Sequence, residues 1–405
     1  MTSQAITLSE QFGARNYASL PVVITKAKGC WVKDEKGKKY FDCLSAYSAL
    51  NQGHRHPRII TAAKNQLDKL TLTSRAFHND LLGEFLKKLT EVSGLDKALP
   101  MNSGAEAVET SIKAARKWAY TVKRVEQNKA NIIVCKNNFH GRTTTIIGFS
   151  SENQYKENFG PYCNGFKLIE FNNIQALEKA IDKNTAGFLV EPIQGEGGII
   201  FPSKGYLKKA KEICEKNNVL LILDEIQTGF GRTGKMFAFQ HENIKPDVLI
   251  VGKALGGGIM PVSAMISSKE VMQVFNPGDH GSTFGGNPLA CAVGLESIKV
   301  IQEENLCEKS RVKGKYFLSE LKKINSPFIK EVRGQGLFIG IEIKKEFFSA
   351  KPFCLKLLKE GVLVKETHER VLRLAPPLIV STEEIDWAIK KIKKVFEVKK
   401  RIFYK

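Results

Sequence analysis

Short apolar runs that end on a charged residue recur along the chain, and two of them stand close in sequence. Residues 219–223 form a branched, uninterrupted apolar run, the length of a strand buried on both faces, and Asp224 stands at its carboxyl end. Residues 248–251 form a second such run, with Lys253 just past its end. Similar runs at 132–135, 166–171, 187–190 and 262–266 alternate with stretches of helical period at 59–70, 81–92, 206–217 and 289–304. A further long helix is expected to open within 100–107 and to run to about 123. This alternation predicts an α/β fold with a mostly parallel sheet. Ahead of it, alternating polar and apolar residues at 31–34 and 39–42, around Glu35-Lys36-Gly37, predict a hairpin, and 45–54 is polar and Gly-rich, hence a loop. After about residue 300 the pattern changes to helices at 307–324, 353–360 and 383–398 and strands at 337–343, 362 and 371, a compact α+β unit.

With 405 residues, 42% of them hydrophobic, the chain can bury a large domain and a smaller one. No apolar run approaches the roughly 18 residues of a membrane span. The first ten residues lack a basic segment and an apolar core, so no signal peptide is expected. The eight Cys are scattered without a C-x-x-C, as in a cytosolic protein with reduced thiols. A net charge of +20 raises nucleic acid as a partner, but the lysines are spread along helical stretches and the one dense block, 390–401, has helical spacing. Solvated helix faces, with some attraction for anionic substrates, are the expectation.

Ligands of open α/β sheets bind at the carboxyl ends of the strands, so Asp224 and Lys253 can converge on one ligand. A lysine amine in a partly dry pocket forms a Schiff base with an aldehyde, and a carboxylate keeps a ring nitrogen protonated; together these are what pyridoxal phosphate requires. The plainer readings are a strand-end Asp that caps the next turn and a solvated loop lysine. Ser103-Gly104-Ala105, at the start of a helix, offers free amides to a phosphate, alongside ordinary capping by Asn102 or Ser103. Phe139, in a strand-exit loop, can stack on a planar ring or pack in the core, and the fork of Arg142 matches a carboxylate. Glu191 and Glu196 lie on a Gly-rich loop after a strand. Ser282 and Thr283 offer hydroxyls to an anion or cap the following helix. Arg373 sits inside an apolar strand and therefore needs a carboxylate partner or a carboxylate substrate. His54 and His56 are read as loop residues, and no metal is expected. Gly229, Gly231 and Gly234 match G-x-G-x-x-G, and with Lys235 they approach a phosphate loop. The context fails, because residues 224–227 intervene after the strand and Met236 stands where Ser or Thr must hold magnesium.

Taken together, Leu223-Asp-Glu-Ile-Gln-Thr-Gly229 and Gly252-Lys-Ala-Leu-Gly-Gly257 resemble the signature of the class III (subgroup II) pyridoxal phosphate aminotransferases of fold type I, and the likeness runs over about 12–395. Ser103-Gly-Ala-Glu106, Phe139-His-Gly-Arg142 and Gly281-Ser-Thr-Phe-Gly-Gly286 are similar to stretches found also in acetylornithine aminotransferases. Asn16-Tyr17 and the stretches 47–54, 70–77 and 373–377 resemble the ornithine δ-aminotransferase branch, although His140 stands where some animal members carry Trp. The resemblance implies a large domain at 46–300 with a mostly parallel seven-stranded sheet, a small domain at 301–405, and a segment 1–45 that joins the small domain. It implies that Lys253 carries pyridoxal 5'-phosphate and shuttles the proton, that Asp224 pairs with the pyridine nitrogen, that Phe139 stacks on the ring and that Gln227 reaches the ring hydroxyl. Gly104 and Ala105 would hold the phosphate, with Ser282 nearby and with help from the partner subunit's Thr283 in a dimer or higher homo-oligomer. For substrates it implies L-ornithine and 2-oxoglutarate. Arg142 and Tyr17 would grip the ornithine carboxylate, Tyr47 and Glu191 would belong to the substrate pocket, and Arg373 would take the near carboxylate of 2-oxoglutarate, masked by Glu196 in the first half-reaction. N-acetylornithine or another ω-amino acid is the alternative, and neither nucleic acid nor a membrane is an expected partner.

Overall fold

A computed structural model describes residues 3–397. Its centre is a seven-stranded sheet with the order Lys97–Met101, Ser263–Ser267, Val248–Val251, Leu220–Asp224, Thr185–Val190, Asn131–Cys135, Phe166–Ile169. The last five run parallel to one another, whereas Ser263–Ser267 is antiparallel to both its neighbours. The continuous apolar runs are explained by burial on both faces. Leu221, Leu223, Leu249 and Val251 point into one core, and Leu220, Ile222, Val248 and Ile250 point into the other. Each fully buried aliphatic side chain contributes about 1.5–3 kcal/mol, so these strands cannot shift register by one residue without exchanging the contents of two cores.

Parallel strands put their carboxyl ends on one edge of the sheet. Cys135, Val190, Asp224 and Val251 therefore end together, and so does Met101, which is antiparallel to an antiparallel strand. The helix Gly104–Thr121 starts directly after Met101, its first turn closed by a reciprocal capping box between Ser103 and Glu106. Its N-terminus thus opens on the same edge as Asp224.

A second, antiparallel sheet has the order Ile329–Gln335, Phe338–Ile343, Val371–Leu374, Lys365–Thr367. The third sheet joins the two ends of the chain: the antiparallel strands Ile24–Lys28, Trp31–Asp34 and Lys39–Asp42 are extended by Val362–Leu363, which pairs in parallel with Lys39–Asp42. Trp31 and Phe41 pack edge-on against Trp387 of the helix Thr382–Phe396 and seal this junction.

The structure departs from the sequence expectation at several elements. Lys97–Met101 and Ile329–Gln335 are strands that no apolar run announces, the first an edge strand that tolerates Pro100, the second charged and half exposed. Lys365–Thr367 is a third unannounced strand, and Gln4–Phe12 is helical. The strand expected over 166–171 ends at Ile169. The last helix closes at Phe396; Val398 and the end of the basic block, through Arg401, lie outside the described residues. Within the loop expected at 45–54, Ser45, Ala46, Tyr47 and Ser48 form a left-handed turn, with φ of 50, 46, 60 and 71°. Among the described residues no helix is long and apolar enough to cross a membrane.

Candidate active site

At the carboxyl edge of the central sheet a cavity of about 200 Å³ is lined by Gly104, Ala105, Phe139, His140, Glu191, Glu196, Asp224, Gln227 and Lys253, among others. Asp224 is buried at its strand end. Its Oδ1 accepts from the Ile226 amide at 3.0 Å, and its Oδ2 pairs with His140 Nδ1 at 2.7 Å. A carboxylate only accepts, so Nδ1 carries the proton. His140 is 2% exposed, and its Nε2 has no partner among the described residues. This histidine, two residues from Arg142, was not singled out for the site from sequence; its part depends on an aspartate 84 positions away.

Lys253 follows the strand Val248–Val251 with φ +46°, a left-handed conformation that a residue with a side chain adopts at a cost of roughly 1–3 kcal/mol. The turn aims its amine into the cavity, where it makes no hydrogen bond or ion pair among the described residues. Burial lowers the Lys253 pKa from the ordinary lysine range, with Glu196 pulling the other way and Arg373 adding to the fall. The consequence is a larger neutral, nucleophilic fraction of the amine.

Three carboxylates share this edge under opposite constraints. Burial, and after it the nearby Asp224, pushes the Glu191 carboxyl well above its usual range; its long contacts from the Phe139 and Gly195 amides, 3.3 and 3.4 Å, oppose this only partly. Burial would also raise Glu196, but Arg373 prevails and the carboxyl falls to about 2. Arg373 is fully buried on Val371–Leu374, with both terminal nitrogens on Glu196 and its guanidinium 4.8 Å from the Tyr47 ring. Glu196 is further held by Gln227 Nε2 at 3.2 Å, and Thr367 Oγ1 donates to its backbone oxygen at 2.7 Å. Gln227 Nε2 also reaches the Tyr47 carbonyl at 3.4 Å, while its Oε1 is buried without a partner among the described residues. A Cβ at position 195 would stand 1.7 Å from that Oε1, so the loop needs glycine there.

The remaining sequence candidates lie outside the cavity. Arg142 is exposed and lies over Tyr155, 4.0 Å from the ring centroid, and 5.6 Å from the Phe139 ring. Tyr155, half-buried, is a second residue that sequence did not single out. Tyr17 is 76% exposed. Ser282 accepts from Asn102 Nδ2 at 2.8 Å and from the Gly285 amide at 3.0 Å, within the turn before the helix Pro288–Glu303; that helix is capped by Asn287, not by Ser282 or Thr283, and Thr283 is exposed. The loop histidines are both engaged, His54 with Asp42 and His56 with Glu304, and no metal-binding cluster is present among the described residues.

Four groups around the cavity define what fits it. They are a partner-free amine at Lys253, a fixed carboxylate at Asp224, a free acceptor at Gln227 Oε1, and the N-terminus of an 18-residue helix at Gly104 and Ala105. An aldehyde, a protonated ring nitrogen, a hydroxyl and a phosphate complement them in that order, and these are the polar groups of pyridoxal phosphate.

Comparison with known proteins agrees with this reading. The family model described as aminotransferase class-III matches residues 12–396. An ornithine aminotransferase of Brevibacillus brevis is 59% identical over 397 residues, covering 98% of this chain and 99% of its own. The crystal structure of the ornithine aminotransferase from Toxoplasma gondii ME49 superposes with a TM-score of 0.96 at 45% identity, covering 97% of this chain and 94% of that one. The acetylornithine aminotransferase of Elizabethkingia anophelis superposes with a TM-score of 0.89 at 48% identity, covering 97% and 98%. By sequence match, fold and the groups that converge on Lys253, this chain belongs to the class III aminotransferases, enzymes that depend on pyridoxal phosphate.

Proposed function

We propose that the chain transfers the δ-amino group of L-ornithine to 2-oxoglutarate, yielding glutamate 5-semialdehyde and glutamate. The observation that carries this reading is the pairing of the buried Arg373 with Glu196, while Arg142 remains open at the rim. A diamino acid that reacts through its far amine must have its carboxylate held away from the reacting centre. A cation close to that centre would otherwise draw the carboxylate in and present the α-amine. Glu196 neutralises that cation, and Arg142, with Tyr17, holds the carboxylate. For 2-oxoglutarate the demand reverses: Glu196 moves aside and Arg373 takes the carboxylate next to the keto carbon.

Pyridoxal phosphate, when bound, supplies the electron sink that stabilises negative charge at the substrate carbon. Lys253 would hold its aldehyde, Asp224 its ring nitrogen, Phe139 a ring face, Gln227 its hydroxyl, and the amides of Gly104 and Ala105 its phosphate. His140 orients Asp224 through its Nδ1 hydrogen bond. The Lys253 amine, drawn toward neutrality by burial, moves the proton to and from the reacting carbon. Burial and the neighbouring Asp224 both act against a charge on Glu191. In a homodimer the partner subunit's Thr283 would complete the phosphate site.

N-acetylornithine is the second reading, favoured by the match to the Elizabethkingia enzyme. Titration of the loaded protein with each compound, followed through the cofactor's absorption band, separates the two. Bleaching by L-ornithine and recovery with 2-oxoglutarate support the proposal; preference for the acetylated compound overturns it.

A further inference from the structure

The N-terminal sheet carries a charge pattern that its own pairing opposes. The register sets Lys26 opposite Lys33 and Lys33 opposite Lys39, so three lysines form one cross-strand row over three adjacent strands. Lys28, opposite Trp31, belongs to the next row of the same face. Like charges directly opposed across strands are destabilising, and no acid interrupts this row. The nearest acid on these strands, Asp34, is consumed by the turn: it accepts from the Lys36 and Lys38 amides and from Tyr40 Oη. Other surface lysines do find carboxylates, such as Lys69 with Asp80, Lys167 with Asp182 and Lys330 with Glu342.

Arg55 faces the same place. It lies between two histidines that hold Asp42 and Glu304, and its backbone is left-handed, with φ +55°. With Lys26, Lys28, Lys33, Lys39 and Trp31 it lines a groove of about 450 Å³. None of the five cations has an ion-pair partner among the described residues. Trp31 is fixed by a 2.6 Å bond from its Nε1 to Glu384 and by edge contacts with Phe41 and Trp387. The groove shares no residue with the cavity at Lys253.

We propose that this groove binds a linear oligophosphate, either free or as the phosphate chain of a nucleotide. Strands lie about 4.8 Å apart, so the lysine row spans roughly 10 Å. Orthophosphate is too short to meet the whole row and too weakly charged to balance five cations. A triphosphate chain does both, and lysines serve it as point charges. The groove is concave and about three strands wide, which suits a compact polyanion and not the long stripe used by nucleic acids.

The test is calorimetric titration of the pyridoxal-phosphate-loaded enzyme, in which the active-site phosphate position is filled, with inorganic tripolyphosphate, orthophosphate and a nucleoside triphosphate. Saturable binding of one tripolyphosphate per chain is expected, at least tenfold tighter than orthophosphate and weakening as salt rises. Lys33→Glu should lose tenfold or more in affinity, keep its transaminase turnover, and gain thermal stability because an acid then lies between Lys26 and Lys39. Lys179→Glu, distant and exposed, should bind as the parent does. Equal affinity for tripolyphosphate and the nucleotide assigns recognition to the phosphate chain alone; tighter nucleotide binding adds stacking on Trp31, and either outcome supports the site. Unchanged binding by Lys33→Glu, no preference over orthophosphate, or binding confined to DNA or anionic vesicles would overturn it.

Discussion

Two arginines flank the same cavity in opposite conditions. Arg373 is fully buried on a strand, both terminal nitrogens on one carboxylate, with an aromatic ring beside it. Arg142 is exposed on a loop, with its guanidinium over the Tyr155 ring and near that of Phe139. A guanidinium inside the fold must be neutralised at all times, so its partner can act as a gate: a substrate reaches Arg373 only by replacing Glu196. One at the rim, resting on π-faces that compete weakly for its hydrogen bonds, stays ready for a carboxylate. Chemistry that must tell two ends of a diamino acid apart gains from having one of each.

The largest effect is expected at the buried site. Arg373→Ala should lower kcat/KM for 2-oxoglutarate by roughly 100-fold or more, the loss of two charge-assisted hydrogen bonds. Its half-reaction with L-ornithine should suffer less, and equal losses in both would break the contrast. Arg142→Ala should act in the reverse sense, raising the KM for L-ornithine by roughly tenfold to 100-fold while 2-oxoglutarate changes little. Steady-state kinetics with each substrate varied separately measures both.

The pH dependence of stability sharpens the comparison further. The folded-state pKa of Glu196 is depressed to about 2. Its contribution to stability is therefore present above the ordinary glutamate range near 4.5 and lost as pH falls from there toward 2. Chemical denaturation over that range should show a steeper decline for the parent than for Glu196→Gln. The smallest effect is expected from Thr367→Val, which removes the hydroxyl that donates to the Glu196 backbone oxygen at 2.7 Å and, more weakly, to its Oε2 at 3.4 Å; the loss is about 1 kcal/mol and should shift amine selectivity severalfold at most.

The sheet and its two charged strand ends were legible because burial on both faces writes a continuous apolar run, and because Asp224 and Lys253 terminate such runs. Lys97–Met101 and Ile329–Gln335 left no such mark: one is an edge strand with a proline, the other presents charged residues to solvent. The loop at 45–54 was legible as polar and glycine-containing, but four successive left-handed residues there are set by the packing around Gln227 and Arg373, not by local propensity. His140 was in view only as a motif position, since a ring nitrogen meeting a distant carboxylate is a tertiary fact. Arg142 and Tyr17, expected at the far carboxylate of the substrate, Ser282, expected near the phosphate, and Thr283, expected from the partner subunit, do not line the cavity in this chain.

The gate at Arg373 is tested most directly by Glu196→Ala in a single turnover with L-ornithine, identifying which amine has left. The expected result is a preference for the δ-amine weakened by roughly tenfold or more, with reaction through the α-amine appearing, while the 2-oxoglutarate half-reaction keeps its rate within a few fold. Unchanged regiochemistry and unchanged half-reaction rates would contradict the account.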